Sequence, residues 1–536
     1  MPLYMKHLSN IKFLIISFII FVCYSITKAQ TASIWYCQEI SLKGSNRYIN
    51  PYSEVELWGE FRGPGGEYLK IPAFWDGDNT WKIRFAPISE GKWRWLTICN
   101  VNDLGLNHKE GEITVKKQIN DSSSNNNTWR GFIKISDNHR YFEFADGKPF
   151  YWLGDTYWDG CSVSPSDFNT YITDRKAKGF DLVQIRTWVS HFRPDSIVDI
   201  NHFKQFDKKV EKMLDSGLIP CLFGFWGGGK WLDQYGPQSY KQYWRYLIAR
   251  YSAYNVIWCI SGEYFFTPDI EGWRELGKYV DETDPYKHPT TIHSTAPHSG
   301  SRHYQAASWY DFNMIQIGHC ASLSKFAETL PYIDYMATPI KPSIMSESWY
   351  EYHPTRLGEG NFRLVDEAIR YVTYVPLLQG CIGQTYGAWG IFQWSNLNDT
   401  TNQKLPWDKA LKLPVSSQMG YLHQVMDSLT WWKLEPHPEI VSCMMPARIY
   451  AASVSDKEFI IYTFSNKSDI RVFLPPISKN PDAADYPARW INPRTGEWKN
   501  AITNAQWYGS YLLISATPPD EQDWLMIIKK KLKVTN

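Results

Sequence analysis

The sequence predicts an α/β protein in which a central (β/α)8 TIM barrel lies between two β-sandwich domains. Eight short apolar strands alternate with helical stretches over residues 131–433, which is the size and rhythm of such a barrel. On either side, at 31–117 and 441–536, apolar and polar residues alternate with a period of two, as in antiparallel sandwiches. With 536 residues the chain is also long enough for about three domains.

The first thirty residues have the pattern of an export signal. Lys6 and Lys12 precede the apolar run 13–23, and Thr-Lys-Ala at 27–29 supplies the small residues of a cleavage site. The run is too short for a comfortable membrane span. We therefore expect residues 1–30 to be removed as a signal peptide. The mature chain should then be periplasmic or secreted and have no transmembrane segment.

Turn signals divide the N-terminal region into short strands. Gly-Pro-Gly-Gly at 63–66 and Asp-Gly-Asp at 76–78 separate stretches of alternating polarity, so residues 31–117 predict a small immunoglobulin-like sandwich. Polar residues without periodicity fill 118–130, which we interpret as a linker. A second linker is expected at 434–440, before the C-terminal sandwich.

The candidate barrel strands are short and apolar, and helical stretches separate them. They are 150–154, 182–186, 219–225, 256–260, 290–293, 313–317, 343–345 and 381–384. The stretch 239–251 carries Tyr243 and Leu247 on one face and is typical of an outer helix. Period-two alternation returns at 458–464 and 510–515, which predicts the strands of the second sandwich.

Composition narrows the classes of function. A formal net charge of +1 without a basic stripe gives no reason to expect nucleic acid as a partner. The 26 Trp and 34 Tyr are numerous, and such rings fill β-rich cores or stack on sugars. After signal removal eight cysteines remain, none spaced Cys-x-x-Cys, which favours buried thiols over a structural zinc site or a disulfide framework. We see neither a phosphate loop nor a metal-ligand cluster and predict no cofactor and no metal.

Two glutamates end two of the predicted strands. Glu263 closes the fourth candidate strand and Glu347 closes the seventh. A carboxyl at the C-terminal end of a barrel strand is typical of a catalytic residue, and cleavage of a glycosidic bond uses two carboxylates that face one sugar. Two carboxylates on surface loops are the alternative, since most glutamates are exposed.

Other polar and aromatic residues at predicted strand ends are candidates for substrate binding. Asp155 could bind sugar hydroxyls or cap the following loop, and His319 could bind a carboxylate or a sugar or be a satisfied core histidine. The candidates are Asp155, Trp158, Gln184, Trp226, His319, Trp349, Tyr350, Glu351, Tyr386 and Trp389. For the aromatic members, packing alone explains the pattern equally well.

Several segments resemble the signatures of the apiosidase-like glycoside hydrolases, bacterial barrel enzymes that degrade complex plant or algal polysaccharides. They are Phe150-Tyr-Trp-Leu-Gly-Asp-Thr-Tyr-Trp158, Tyr310-Asp-Phe-Asn-Met-Ile-Gln-Ile-Gly-His319 and Glu347-Ser-Trp-Tyr-Glu351. The N-terminal region is similar to the DUF5060-type sandwich that precedes such barrels. Residues 488–496, together with Asp523 and Trp524, resemble a sandwich that follows them and is sometimes labelled collagen-binding.

The resemblance implies that Glu347 is the family's catalytic glutamate and that Glu263 occupies the position of its other carboxylate. The chain departs from the family pattern in having Ser261-Gly-Glu263 instead of Gly-Gly-Asp and Ile317 instead of Ser. A glutamate is one methylene longer than an aspartate, so the sugar and the glycosidic geometry are expected to differ from those of an apiosidase.

These observations together predict an exported glycoside hydrolase whose substrate is a plant or algal polysaccharide or oligosaccharide. Glu263 would be the general acid/base and Glu347 the nucleophile of a retaining mechanism. The alternative is a non-catalytic glycan-binding protein that uses the barrel and sandwiches as platforms. A third interpretation gives the C-terminal sandwich a protein ligand such as collagen.

Overall fold

The computed structural model of the chain describes residues 30–117, 126–188, 193–227, 231–266, 269–355, 362–395, 405–443, 448–464, 468–474, 483–509 and 511–531. The predicted export signal, apart from residue 30, and most of the first predicted linker lie outside these residues. Among the described residues, no helix combines the length and the apolar composition that crossing a membrane requires.

The N-terminal region folds as two packed sheets. Its elements are β1 (Gln30–Ser33), β2 (Gln38–Lys43), α1 (Pro51–Glu54), β3 (Leu57–Arg62), β4 (Tyr68–Pro72), β5 (Phe74–Trp75), β6 (Thr80–Phe85), β7 (Gly91–Cys99) and β8 (Glu110–Lys116). One sheet has the order β1-β8-β7-β3-β4 and the other β2-β6-β5. Phe61, Ile83 and Trp93 are buried between them, as alternation of apolar residues along the strands predicts.

The central region begins with a small sheet and continues as alternating strands and helices. Its elements are β9 (Ile133–Ile135), β10 (Phe142–Phe144), β11 (Pro149–Phe150), β12 (Trp152–Thr156), α2 (Pro165–Ala177), β13 (Leu182–Arg186), α3 (Ile200–Asp215), β14 (Ile219–Trp226), α4 (Trp231–Tyr251), β15 (Ile257–Gly262), α5 (Ile270–Thr283), β16 (Thr290–Thr291), β17 (His298–Ser299), α6 (Ser301–Tyr304), β18 (Asn313–Gln316), α7 (Phe326–Met336), β19 (Ser343–Glu347), α8 (Asp366–Leu378), β20 (Gly383–Tyr386), α9 (Trp407–Ala410) and α10 (Pro414–Asp427). Each of the eight predicted barrel strands overlaps one of the strands β12–β16 and β18–β20.

These eight strands and β17 form one curled, nine-stranded sheet in the order β16-β15-β14-β13-β12-β20-β19-β18-β17. Its strands run parallel except β17, which pairs antiparallel with β18. An isolated parallel bridge joins His293, just after β16, to Met314 in β18. Because parallel neighbours point the same way, the carboxyl ends of these strands meet at one edge of the sheet.

The predicted outer helix forms the body of α4. Gly236 breaks this helix near its start, with a φ of 73° in the left-handed region that favours glycine, and Pro237 follows the break. Tyr243 and Leu247 are buried against the sheet, as their spacing predicts.

A second pair of sheets closes the chain. Its strands are β21 (Glu435–Pro436), β22 (Val441–Cys443), β23 (Arg448–Val454), β24 (Glu458–Phe464), β25 (Ile470–Leu474), β26 (Ala488–Ile491), β27 (Trp498–Asn500), β28 (Thr503–Tyr508), β29 (Tyr511–Ala516) and β30 (Trp524–Lys529). The sheets have the orders β21-β23-β24-β30-β26-β27 and β22-β25-β29-β28. Strand β21 lies inside the predicted second linker and pairs with β23, so the sandwich includes part of that segment.

The described cysteines are all free thiols, and five of the eight are buried. Cys221 and Cys259 lie on neighbouring strands of the curled sheet and are fully buried. Burial raises the pKa of both thiols, so they pack as small apolar groups.

Candidate active site

The two predicted catalytic glutamates line one cavity of about 540 Å³ at the carboxyl edge of the curled sheet. Glu347 is the last residue of β19 and is buried. Glu263 follows β15 directly, is half-buried and has a φ of 44°. This left-handed backbone is uncommon for a residue with a side chain. The turn it makes ends the strand and leaves the Glu263 side chain in the cavity.

One amide joins the two carboxylates. Gln316, the last residue of β18, has its Nε2 atom 3.1 Å from Glu263 Oε1 and 2.9 Å from Glu347 Oε1. A side-chain amide nitrogen carries two hydrogens, so it can donate one to each carboxylate. Gln316 therefore holds the two acidic groups side by side without adding a charge between them.

His319 is a second donor to Glu347. Its Nδ1 atom accepts the backbone N–H of Tyr350 at 3.3 Å, and its Nε2 atom lies 3.2 Å from Glu347 Oε1. An imidazole whose Nδ1 accepts must carry its proton on Nε2. Neutral His319 thus donates to Glu347, and its ring is stacked on His353 at a centroid distance of 4.3 Å. Both donors favour the ionised form of Glu347.

Aromatic residues form one wall of the cavity. Trp226 donates its indole N–H to Glu263 Oε2 at 3.0 Å, and Trp158 packs edge-on against Trp226. Trp158 donates in turn to the hydroxyl of Tyr350 at 3.1 Å. Burial, and then the charge of Glu347, raise the pKa of Tyr350 well above its usual value, so this phenol stays neutral. Flat rings that present one face to a cavity suit the apolar faces of a sugar.

The structure brings into the cavity several residues that sequence reasoning missed. They include Asp159, Arg186, Phe266, Gln316 and His353. Arg186 and Asp159 form an ion pair at the cavity wall. Arg186 and Gln316 each end a parallel strand, so the strand-end rule that found the two glutamates applies to them equally well. Phe266 follows Glu263 by three residues and is 62% exposed at the rim.

His293, also missed, lies below the cavity. It is fully buried, and its Nε2 atom is 3.8 Å from Glu347 Oε2. Burial lowers its pKa although Glu347 acts in the opposite direction. His293 is therefore a neutral ring that packs behind Glu347.

Asp155 is a correction to the prediction, because it does not line the cavity. The carboxylate is fully buried and accepts hydrogen bonds from Arg175 Nε at 2.5 Å and from the Tyr171 hydroxyl at 2.8 Å. Both partners come from α2, on the far side of β12. Asp155 thus ties a helix to the sheet and cannot reach a sugar.

Gln184 and Glu351 are placed in the core in the same way. Gln184 donates to the Ser346 carbonyl at 2.9 Å and is fully buried. Glu351 accepts the Tyr386 hydroxyl at 2.5 Å and a backbone N–H at 3.3 Å, and burial raises its pKa to about 7. Glu351 is thus a core acid, and Tyr386 is its buried partner.

The two remaining candidates, Trp349 and Trp389, are buried and lie outside the residues that line the cavity. Trp389 packs edge-on against His353 with ring centroids 4.2 Å apart. It supports the cavity wall from behind. Trp158, Trp226, His319 and Tyr350 are the predicted binding residues that do line the cavity.

The described residues include no group of three or more histidine, cysteine, aspartate or glutamate side chains arranged to hold a metal ion. Two carboxylates in one cavity at the carboxyl edge of a parallel α/β sheet fit the class of the glycoside hydrolases. The chain belongs to the apiosidase-like family, whose description "Apiosidase-like, catalytic domain" matches residues 136–433. Residues 31–100 match the domain of unknown function DUF5060. Both matches confirm the predicted resemblance, and the chain is a glycoside hydrolase.

Solved structures share this fold. A candidate glycoside hydrolase from Bacteroides vulgatus ATCC 8482 is 19% identical over 94% of this chain and 100% of that chain, with a TM-score of 0.73. A structure described as a glycoside hydrolase is 20% identical over 75% of this chain and 97% of its own, with a TM-score of 0.66. A family 5 glycoside hydrolase from the same Bacteroides strain is 21% identical over 75% of this chain and 94% of its own, also with a TM-score of 0.66. At these identities the likeness is one of fold. No curated protein sequence matches the chain.

Proposed function

We propose that the chain is an exported enzyme that hydrolyses O-glycosidic bonds in complex plant or algal polysaccharides or their oligosaccharides, with retention of configuration. The observation that carries the proposal is the Gln316 amide between the two carboxylates, 3.1 Å from one and 2.9 Å from the other. Because the two N–H bonds of an amide diverge by about 120°, the two bonded oxygens lie about 5 Å apart, nearer to the ~5–5.5 Å of retaining enzymes than to the ~6.5–9.5 Å of inverting ones.

The proposed fold of the catalytic region is a closed (β/α)8 barrel. Eight parallel strands in one curled sheet and the bridge between His293 and Met314 support closure. Export is supported by the signal-like pattern of residues 1–30.

In the proposed mechanism Glu347 is the ionised nucleophile. The N–H groups of Gln316 and His319 stabilise its charge and orient one oxygen, so the other can attack the anomeric carbon. Glu263, half-buried at the rim, donates a proton to the glycosidic oxygen as the bond to the leaving group breaks. The result is a glycosyl ester of Glu347 and a free alcohol. Glu263 then takes a proton from water, the water oxygen attacks the same carbon, and Glu347 leaves as a carboxylate.

The test is the stereochemistry of azide rescue on an aryl glycoside. Without its nucleophile, the Glu347→Ala variant should be slow and azide should restore turnover to give a glycosyl azide of inverted configuration. Without its acid, the Glu263→Ala variant should lose about 10²- to 10⁴-fold on poor leaving groups, and azide should give a product of retained configuration. Proton NMR of the anomeric signal reads both outcomes.

If Glu347→Ala gave the retained azide and Glu263→Ala gave the inverted one, the roles of nucleophile and general acid/base would be exchanged. Inversion by the unmodified enzyme would overturn the retaining mechanism. Binding of glycans without any turnover would instead favour a non-catalytic glycan-binding protein.

A further inference from the structure

A second hollow, far along the chain from the catalytic glutamates, lies on the C-terminal sandwich. It sits on the outer face of the sheet β22-β25-β29-β28 and has a volume of about 580 Å³, close to the 540 Å³ of the active-site cavity. The inner face of the same sheet carries Val472 and Ile514, both in the core of the sandwich. Because successive side chains of a strand point to opposite faces, most residues of the hollow lie outside the core, although Ala516 belongs to both.

The hollow combines rings with amides and hydroxyls. Its lining includes Phe473, Asn504, Gln506, Tyr508 and Ser515, together with the apolar Ile502, Leu513 and Ala516. The rings of Phe473 and Tyr508 lie 6.5 Å apart, and Tyr508 is 66% exposed. In the part of the chain that the structure describes, the side-chain amides of Asn504 and Gln506 have no hydrogen-bond partner.

This set of groups matches the chemistry of a sugar. A ring can pack on the apolar C–H face of a pyranose, while each amide can donate to one hydroxyl and accept from another. A dry apolar partner would instead leave both amides buried without hydrogen bonds, at a cost of about 1–3 kcal/mol each. The lining therefore favours a hydrated, polyhydroxylated ligand over an apolar peptide.

The charge of the hollow selects further among glycans. Its charged lining residues within the described ranges are Asp469 and Arg471, one of each sign. Asp469 also accepts a hydrogen bond from the Thr517 hydroxyl at 2.5 Å. With no excess of positive charge, the lining offers a sulfated or uronic chain no electrostatic advantage over a neutral one.

We propose that this hollow is a non-catalytic binding site for neutral oligosaccharide segments of the polysaccharide that the enzyme cleaves. The inference rests on the proposed function for the source of the glycan. Two binding modules on one chain raise the effective concentration of the second ligand segment once the first is bound. The site should therefore matter for polysaccharides and have no effect on small substrates.

The experiment is native gel electrophoresis of the full chain through gels that contain galactan, arabinan, xylan or galactomannan. Every protein tested carries the Glu347→Ala substitution, so that the polysaccharide in the gel is not hydrolysed. We expect at least one polysaccharide to retard the protein, and Tyr508→Ala or Gln506→Ala to weaken the interaction about tenfold. Trp507→Ala is the matched control, because Trp507 is the next residue of β28, is 44% exposed and points to the opposite face. It should leave the retardation unchanged.

A second measurement uses the enzyme with Glu347 intact. Tyr508→Ala should leave kcat/KM for an aryl glycoside unchanged and slow release of sugar from the retarding polysaccharide. The proposal would be overturned if all variants were retarded equally or if none of the polysaccharides retarded the protein. Binding of a collagen triple-helical peptide at Tyr508, instead of a polysaccharide, would overturn it as well. If no glycoside were hydrolysed while Tyr508-dependent retardation persisted, the proposed catalytic function would fail and this site would stand.

Discussion

At the scale of single residues, the two carboxylates have different surroundings that match different roles. Glu347 is buried and bonded to Gln316 and His319, two neutral donors. Glu263 is half-buried, accepts hydrogen bonds from the Trp226 indole and from Gln316, and lies on a backbone of positive φ. Strained backbone of this kind persists where the surrounding structure over-determines it, commonly at functional sites. Both carboxylates accept from neutral donors, so the difference that suits the proposed roles is exposure, with the buried Glu347 as nucleophile and the half-buried Glu263 as proton donor.

Gln316 should control the ionisation of Glu347, the proposed nucleophile. In Gln316→Glu a third carboxylate replaces the bridging donor, so repulsion and the lost hydrogen bond both raise the pKa of Glu347. The acid limb of the kcat/KM profile, which follows protonation of the nucleophile, should then move to higher pH. Gln316→Leu removes the donor without adding charge. It should lower kcat/KM about tenfold or more and move the limb less.

The measurement is the pH dependence of kcat/KM on one aryl glycoside for the unmodified enzyme, Gln316→Glu and Gln316→Leu. If both variants lost activity with an unmoved acid limb, Gln316 would have a packing role only.

Glu351 should make stability depend on pH in a direction opposite to that of a paired surface carboxylate. Burial raises its pKa from 4.5 to about 7, so between these values the folded protein holds a proton that the unfolded chain releases. Stability from this group is therefore lost as pH rises from 4.5 to about 7. In Glu351→Gln the group cannot ionise, and the fall should be smaller.

The measurement is the midpoint of thermal unfolding between pH 4.5 and 8. The control is Glu271→Gln, since the Glu271 side chain is 76% exposed. If the midpoint of Glu351→Gln fell with pH as steeply as that of the unmodified protein, the expectation would be contradicted.

At the scale of elements, buried ion pairs join the sandwiches to the curled sheet and its helices. On the N-terminal side, Arg84 of β6 lies 2.6 Å from Asp207 of α3, which also accepts from Arg250 of α4 at 2.6 Å. Burial would raise the pKa of Asp207, but the two guanidinium groups outweigh it and hold this pKa below its usual value. On the C-terminal side, Arg370 of α8 contacts Asp523 through two bonds of 2.6 and 2.7 Å.

Breaking the Arg370–Asp523 pair should destabilise the protein strongly. Both side chains are almost fully buried, at 3% and 0% exposure, so Asp523→Asn leaves an uncompensated guanidinium inside. The expected loss is about 3–5 kcal/mol, measured by urea unfolding. As a control on the same sandwich, Glu497→Gln breaks an exposed pair with Lys499 and should cost less than about 1 kcal/mol. Equal effects of the two changes would show that Arg370 finds another partner or water.

At the scale of the whole molecule, the chain places two hollows of similar volume on different domains and connects the domains through buried charges. The cavity that contains Glu263 and Glu347 lies at the carboxyl edge of the curled sheet, and the second hollow lies on the sheet that includes β25, β28 and β29. Buried ionic contacts tolerate little sliding, because displacement leaves charges without partners. We therefore expect the two hollows to keep a constant separation, which would favour long chains as substrates.

The sequence by itself determined the order and kind of the elements. The eight strands and the outer helix at 239–251 follow from local periodicity, which the neighbouring residues alone specify. Glu263 and Glu347 could be found because each directly ends an apolar strand, and parallel strands end together. The class of enzyme could also be predicted from the sequence, because the motifs that resemble the family are short, contiguous segments.

Only the tertiary structure decided which strand-end residues face the cavity. Asp155 and Gln184 lie at the same edge as Glu347, yet one is turned toward Arg175 of α2 and the other toward β19. Gln316 turns into the cavity, and the neighbouring Ile317 is fully buried. Such orientations depend on partners that are distant in sequence, and shifting a side chain by one position on a strand reverses the face it occupies. Local patterns therefore predicted where the site is, and long-range packing selected the residues that form it.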